Sequence, residues 1–297
     1  MNSYRSLYDR LPRQVRIRIR SFVPKSTRRW YAHRDTDVYL ISYPKCGRSW
    51  LRLMTGKAIS LHYSLPEEEK TLFLDGRKKL HPEVPKISVV HDDRPMLKTP
   101  AELETNKDKF RGKKVIFLVR DPRDVIVSSY FEAVKRGQMF GKNPYQTREA
   151  HFDGNLSEFI DRQHGGFDTI LKFYNIWAEN RSVPEGFLLV RYEDLKQDAN
   201  GELERVLEFL GLENVSDETI DEAVYFGSFE NMHRLEENGR FKSGILKPAD
   251  KEDMDSYKTR KGKIGGYQDY LTEDEIRRLN AKLHQTLNSC YGYSIVL

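Results

Sequence analysis

Residues 44–50 combine a lysine, a glycine and a hydroxyl in an arrangement that can bind an anion. They follow the apolar run at residues 38–41 and precede a segment with helical periodicity, so they form a turn between a strand and a helix. The first N–H groups of a helix have no partner within it, and Gly47 lets a ligand approach them closely. Lys45 adds a positive charge and Ser49 a hydroxyl donor. We therefore predict a phosphate-binding loop.

The end of this loop is similar to the ATP-binding motif GxxxxGK[ST], but it departs from that motif in two ways. Arg48 stands in place of the lysine, and the leading glycine is missing. A small-molecule kinase would also need a carboxylate at a strand end to bind magnesium, and the sequence shows no clear one. A kinase and a non-catalytic nucleotide-binding regulator remain alternative interpretations of the loop.

Two further segments place cations beside other hydrogen-bond donors. Arg120 follows a buried apolar run, and Ser128 lies two turns into the helix predicted for residues 123–136. A guanidinium and a hydroxyl at these positions can hold one phosphate through charge-assisted hydrogen bonds. Residues 260–262, Arg-Lys-Gly, offer two cations and a flexible backbone donor. Both segments are therefore candidate anion sites.

Short apolar runs alternate with amphipathic helices along the chain. The runs, each predicted to be a strand, are residues 38–41, 87–90, 115–119 and 187–190. This alternation predicts an α/β domain in which a central parallel sheet is flanked by helices, with ligands at the carboxyl ends of the strands. After the fourth strand a helix is predicted to run to about Leu210. Three long stretches without clear periodicity, residues 62–86, 137–155 and 237–271, are predicted to be lids or binding loops.

The candidate site residues resemble the motifs of the sulfotransferase family that uses 3′-phosphoadenosine 5′-phosphosulfate (PAPS). The family loop reads approximately YPKSGTTW, and residues 43–50 read YPKCGRSW. Residues 120–130 resemble a second motif, approximately RNPKDVAVSYY, and residues 260–272 resemble a third, RKGxxGDWKxxFT. The resemblance implies a single P-loop NTPase-like domain, PAPS as the sulfuryl donor and adenosine 3′,5′-bisphosphate (PAP) as the product. The sequence contains no HExxH motif and no paired CxxC, so we expect no bound metal.

The resemblance also implies which residues bind PAPS. The residues that would hold the 5′-phosphosulfate are Lys45, Cys46, Gly47, Arg48 and Ser49. Those that would hold the 3′-phosphate are Arg120, Ser128, Arg260, Lys261 and Gly262. Trp50 and Tyr192 would lie beside the adenine.

A hydroxyl acceptor needs a base to receive its proton, and a histidine can serve near neutral pH. His91 is the only one of the eight histidines at the end of a predicted sheet strand, where the family places its base. We predict that His91 is this base and that Lys45 stabilises charge on the leaving oxygen. Asp92 or Asp93 could orient the imidazole. Cys46, in a nest of amides beside Lys45, is expected to have some thiolate character.

The bulk composition is that of a globular protein: the chain is 38% hydrophobic and 32% charged, with a net charge of +5. No apolar run approaches the ~18 residues of a membrane span, and the N-terminus lacks the apolar core of a signal peptide, so we expect a cytoplasmic protein. Two distant cysteines predict neither a disulfide framework nor a metal site. The mild charge suits an anionic ligand and does not indicate a nucleic-acid partner.

Residues 1–34 form a basic segment, distinct from the sulfotransferase domain predicted for residues 35–297. Apolar residues recur in it at helical spacing, which predicts a short amphipathic helix. The helix could pack on the domain or lie at an anionic membrane surface, and the sequence leaves both open. The apolar positions are Leu11, Val15, Ile19 and Phe22.

The acceptor is not defined by these motifs. A small-molecule phenol or alcohol, a lipid and a carbohydrate all stay open. Aromatic residues in the predicted loops could wall an apolar pocket or stack on sugars. They are Phe73, Phe140, Tyr145 and Phe152.

Overall fold

Four parallel strands form the central sheet, in the spatial order β2-β1-β3-β4. In the sheet, Val38 pairs with Ile87 on one side and with Lys114 on the other, and Lys114 pairs with Gly186. The strands are β1 (Val38–Ser42), β2 (Ile87–Val90), β3 (Lys114–Val119) and β4 (Gly186–Arg191). The sheet confirms the α/β prediction, and each predicted strand end lies within one residue of the observed end.

The computed structural model describes residues 33–74, 79–137, 151–242 and 244–293. The chain divides into a short segment, Met1–Thr36, and a larger unit, Asp37–Leu297. The predicted basic helix and the loop residues Phe140 and Tyr145 lie outside the described residues. Over the described ranges, no helix has both the length and the apolar character to cross a membrane.

Helices connect the strands and cover the sheet. The first half of the unit contains α1 (Arg48–His62), α2 (Glu69–Leu72), α3 (Pro122–Phe131), α4 (Leu156–Asp161) and α5 (Phe167–Glu179). The second half contains α6 (Tyr192–Gln197), α7 (Ala199–Leu210), α8 (Asp217–Phe226), α9 (Phe229–Glu237) and α10 (Glu273–Thr286). Over the described residues between α9 and α10, the regular backbone consists of short 3₁₀ turns, at Gly244–Leu246, Met254–Ser256 and Gly266–Asp269.

The two central strands form the middle of the core. Every residue of β1 is buried, and so is every residue of β3 after Lys114. Phe117 of β3 stacks on Trp177 of α5 with ring centroids 5.4 Å apart, and both side chains are fully buried. Burying side chains of this size is among the largest single contributions to folding. The core therefore fixes the strand ends at which the predicted site residues lie.

Local sequence sets where two of the site-bearing helices begin and end. Asp121 caps α3 by accepting from the Arg123 amide at 2.9 Å, and Pro122 occupies the first position, where its missing N–H costs nothing. The predicted helix continues to Arg136, but its last turn, Glu132–Arg136, is a π-helix. The helix predicted to reach Leu210 is instead two helices. Asp198 separates them because its carboxylate caps α7, accepting from the Gly201 amide at 2.9 Å.

Candidate active site

The predicted phosphate loop leaves β1 and enters α1 through two residues with left-handed backbone conformations. Lys45 has φ 71° and Gly47 has φ 90°. Gly47 is the N-cap of α1 and offers no side-chain cap, so the amides of the first turn remain available to an anion. A Cβ atom at Gly47 would lie 2.6 Å from Cδ2 of Tyr192. Only glycine fits there, because the Tyr192 ring packs directly against the loop.

Lys45 is held by a carboxylate that the sequence analysis did not identify. Its Nζ lies 2.7 Å from Oε2 of Glu132, and Oε1 of the same carboxylate accepts from Lys258 Nζ at 3.0 Å. Burial, together with the charges of Lys258 and Arg136, lowers the pKa of Lys45 to about 7, although Glu132 opposes this shift. Burial alone would raise the pKa of Glu132, but the charges of Lys258, Lys45 and Arg136 outweigh it and hold the pKa well below its usual value, so the carboxylate is ionised.

His91 follows β2 directly and lies beside the end of β1. Ile41 and Val90 are paired in the sheet, so Ser42 and His91 are neighbours at its carboxyl edge. The Nδ1–H group of His91 donates to the Ser42 carbonyl at 2.8 Å, which leaves Nε2 as the acceptor. Nε2 accepts from Nη2 of Arg48 at 2.7 Å. Burial and the charge of Arg48 lower the pKa of His91 well below its usual value, so the imidazole is neutral.

The prediction that Asp92 or Asp93 orients the imidazole is wrong. Asp92 is buried in ion pairs with Lys107 and Lys109, at 2.6 and 2.7 Å. Asp93 pairs with Lys98 and accepts from the Glu104 amide at 2.7 Å. The backbone turns sharply after His91, with Asp93 at φ 64°, and this turn directs both carboxylates to other partners. The Ser42 carbonyl orients the ring instead.

The expectation of thiolate character at Cys46 is also wrong. The side chain is fully buried, and its Sγ lies 3.2 Å from the hydroxyl of Tyr174. Burial raises the pKa of Cys46 to about 12, although Tyr174 and two arginines oppose the shift. The side chain joins the core, so only the backbone of Cys46 can contribute to an anion site.

The second motif contains α3, and residues of the third motif contact both ends of this helix. Arg120, just before α3, donates to the Lys263 carbonyl at 2.8 Å and lies 3.2 Å from Asp124. At the other end of α3, the Arg260 guanidinium lies over the Phe131 ring, 4.0 Å from its centroid. Residues 260 and 263 thus contact opposite ends of α3, and Ser128 is half-buried within this helix. The structure therefore brings the two candidate cation segments together at α3.

Each cation of these segments has a protein partner. Arg260 donates to the Tyr270 hydroxyl, and Lys261 lies 3.0 Å from Asp269. Gly262 has φ 58°, and a Cβ there would lie 2.7 Å from the Phe229 ring, so the loop passes too close for any side chain. A bound phosphate would therefore compete with carboxylates for Arg120 and Lys261.

Two predicted adenine-binding residues are in contact. Trp50 and Tyr192 form an edge-to-face pair with centroids 5.6 Å apart. The Arg120 guanidinium lies 4.3 Å from the centroid of Tyr192, and Ser49 is the second residue of α1, next to Trp50. This cluster links the first motif with the second.

Buried charges that sequence reasoning missed support the C-terminal loop. Glu236 is fully buried and accepts from the Lys258 and Thr259 amides at 2.6 and 3.0 Å. Arg136 is 1% exposed and donates to the Ser256 carbonyl at 2.8 Å. Arg136 is the last residue of the helix predicted for residues 123–136, but no motif marks Ser256, its partner 120 residues away. Asp124 accepts from the Gly265 and Tyr267 amides and so also supports this loop. Its position within the second motif is a signal from which the sequence analysis could have identified it.

The fold and the site define a class: a parallel α/β protein with a glycine-containing loop between its first strand and the following helix, and a neutral histidine at the neighbouring strand end. Residues 35–290 match the family described as "Sulfotransferase domain". The chain therefore belongs to the sulfotransferase family and is a sulfotransferase. This assignment favours sulfuryl transfer over the kinase and the non-catalytic regulator.

Curated relatives match over most of their length. The chain is 26% identical to "Cytosolic sulfotransferase 17" of Arabidopsis thaliana, covering 86% of this chain and 76% of the relative. It is 27% identical to "Flavonol 3-sulfotransferase" of Flaveria bidentis, covering 85% and 82%. Mouse sulfotransferase SULT7A1, solved with PAP, has a similar fold, with a TM-score of 0.54 at 20% identity and coverage of 85% and 84%.

Proposed function

We propose that this sulfotransferase transfers the sulfuryl group of PAPS to a hydroxyl of a small-molecule acceptor. The observation that carries the proposal is the pairing of β1 with β2, which places the phosphate loop and His91 side by side, with Nδ1 of His91 2.8 Å from the Ser42 carbonyl. Sulfuryl transfer to a hydroxyl needs an anion site for the donor and a base for the acceptor proton, and the loop and His91 are our candidates for these two roles.

The residues of the chain fit the two ends of the donor. The loop amides and Lys45 suit the 5′-phosphosulfate, and Lys45 stands where charge on the leaving oxygen would be stabilised. Arg120, Arg260 and Lys261, with the Ser128 hydroxyl and the Gly262 backbone, suit the 3′-phosphate. Trp50 and Tyr192 offer aromatic surfaces to the adenine. When bound, PAPS supplies the activated sulfuryl group, and PAP is the product that leaves.

His91 is suited to act as the base because its neutral form is the stable one. The Ser42 carbonyl fixes the tautomer in which Nε2 carries the lone pair. The acceptor oxygen forms the new bond to sulfur as the bond to the leaving phosphate oxygen breaks, and the acceptor proton passes to Nε2.

The names of the relatives support a cytosolic enzyme with a small-molecule acceptor. Several are called cytosolic sulfotransferases, and two are named for flavonols. A structure of similar fold, at 19% identity, is a retinol dehydratase solved with androsterone and PAP. We extend to this chain only the general class, a hydroxyl-bearing small molecule. Contact of residues 1–34 with an anionic membrane stays a prediction.

Calorimetric titration with PAP and with AMP tests the donor assignment. PAP should bind at least tenfold more tightly, because each charge-assisted bond to the 3′-phosphate contributes about 1.5–3 kcal/mol. Lys261→Gln should reduce this preference, whereas Arg277→Gln, which removes an exposed cation of α10, should not. Equal affinity of the wild-type protein for PAP and AMP would refute the assignment.

A further inference from the structure

Arg48 occupies the position where an acceptor would have to approach the proposed base. Its Nη2 donates to Nε2 of His91 at 2.7 Å, and Nε2 is the ring nitrogen with the free lone pair. An acceptor hydroxyl that transfers its proton to Nε2 must take the place of Nη2. The guanidinium therefore lies on the acceptor side of the histidine, although Arg48 belongs to the phosphate loop.

Among the residues that the structure describes, no carboxylate pairs with the Arg48 guanidinium. Its Nη1 is buried and has no hydrogen-bond partner in the part of the chain that the structure describes. Burial, reinforced by the neighbouring Arg52, lowers the pKa of Arg48 to about 9. Since a buried charge without an opposite charge is costly, the site is electrostatically incomplete until an anion enters it.

The charges that act most strongly on His91 are all positive. They are those of Arg48, Lys258 and Arg52. Glu132 neutralises part of this charge, but it is already shared between Lys45 and Lys258. Arg136 adds a further cation, which lies 3.3 Å from the same carboxylate and 3.6 Å from Glu236. Among the residues that the structure describes, the charges that act on His91 are thus mainly positive, apart from the cations assigned to the 3′-phosphate.

We propose that Arg48 is an acceptor-recognising residue and that the acceptor carries an anionic group, a carboxylate or a sulfate, beside the hydroxyl that receives the sulfuryl group. This inference rests on the proposed function, because it assumes that His91 receives the acceptor proton. A guanidinium displaced from Nε2 keeps its fork of donors, which matches the two oxygens of a carboxylate or two oxygens of a sulfate. Arg48, which contacts Nε2 of His91 in the free protein, would then position the acceptor hydroxyl beside Nε2.

Matched acceptors test the inference without knowledge of the natural one. The sugar set is methyl glucoside, its 6-carboxylate methyl glucuronide, and methyl glucoside 6-sulfate. The phenol pair is 4-ethylphenol and 4-hydroxyphenylacetate. Binding of each compound to the full-length, PAP-loaded protein is measured by calorimetry, and transfer from PAPS is then measured as kcat/KM. An anionic member should bind roughly 10- to 100-fold more tightly than its neutral partner, and the sulfate and carboxylate arms identify the preferred anion.

Arg48→Gln should abolish this preference, while Arg111→Gln, which removes an exposed arginine paired with Asp108, should leave it unchanged. The ratio between matched acceptors is independent of any general loss of activity in the variant. Equal or absent binding of the anionic members by the wild-type protein would overturn the inference. If Arg48→Gln lowers the affinity and kcat/KM equally for neutral and anionic acceptors, Arg48 acts on the donor. That result would also overturn the inference. Failure of PAP itself to bind would instead count against the proposed function.

Discussion

The Nζ of Lys45 lies 2.7 Å from the carboxylate of Glu132, so an ion pair joins the phosphate loop to the end of α3. The pair places an anion of the protein where the donor's phosphosulfate is proposed to bind. Donor binding therefore has to separate Lys45 from Glu132 or share the lysine between two anions, and the protonation of Lys45 becomes part of the binding equilibrium.

Binding of PAP should take up a proton at pH values above about 7. Burial lowers the pKa of Lys45 to about 7 in the free protein, so the lysine loses its charge as the pH rises above this value. A bound phosphate favours the charged form and raises this pKa, so affinity should fall as the pH rises through about 7. Calorimetry at pH 8 in buffers of different ionisation enthalpy measures the uptake directly.

Lys45→Arg is the matched control for that measurement, because its guanidinium stays charged throughout this range. The variant should bind PAP without proton uptake near pH 8. Uptake of the same size in both proteins would show that another group titrates on binding.

Replacing the proposed base should separate chemistry from donor binding. We expect His91→Gln to lower kcat roughly 10²- to 10⁴-fold and to leave the affinity for PAP nearly unchanged. Because burial and Arg48 lower the pKa of His91, the wild-type kcat/KM should stay high as the pH falls through about 6.5. Normal turnover by His91→Gln with any hydroxyl acceptor would place the base elsewhere.

Only one of the two cysteines should react with thiol reagents in the folded protein. Cys46 is buried with a pKa raised to about 12, whereas Cys290 is exposed. Iodoacetamide should modify Cys290 and spare Cys46 until the chain is unfolded, as counted by mass spectrometry. In Cys290→Ser no thiol should react under native conditions. Rapid modification of Cys46 in that variant, with protection by PAP, would restore the original expectation.

The buried pair formed by Arg136 and Glu236 should be important for stability. The Nη1 of Arg136 lies 3.6 Å from the fully buried Glu236 carboxylate. Arg136→Met removes the cation and should lower the free energy of unfolding by about 3–5 kcal/mol, as measured by urea denaturation. Arg277→Met, at an exposed position, should change it by less than about 0.5 kcal/mol. A loss below about 1 kcal/mol for Arg136→Met would show that the pair contributes little.

Much of the fold could be predicted from the sequence because its strands are short, buried and bounded by clear turns. The π-helical turn at Glu132–Arg136 could not, since the apolar spacing of a π-turn within a helix differs little from that of the α-helix around it. The boundary between α6 and α7 at Asp198 could not be predicted either. An aspartate within a helical pattern is recognised as a cap only when its backbone geometry is known.

The positions of the motif residues relative to the strands could be predicted, but their partners could not. Lys45 and His91 lie at strand ends, as expected. The contact between Glu132 and Lys258 spans 126 residues, and that between Arg48 and His91 spans 43. Local pattern carries no information about such pairs. The direction of the Cys46 side chain likewise depends on the packing around Tyr174, which follows from the assembled core.

The strand order β2-β1-β3-β4 has a consequence for how the chain reaches its native state. Each neighbouring pair of strands is separated by a long crossover, so the sheet can close only after distant segments have met, and such topologies fold slowly. The proposed donor-binding groups come from residues 45 to 262, which belong to the first crossover, to the connection after β3 and to the chain after β4. An incompletely assembled chain therefore lacks a nucleotide site, and PAP should bind only the finished protein. At a concentration a hundredfold above its dissociation constant, the nucleotide would then stabilise the native state by about 2.7 kcal/mol, and the cellular pool of donor and product would act as a folding ligand for this enzyme.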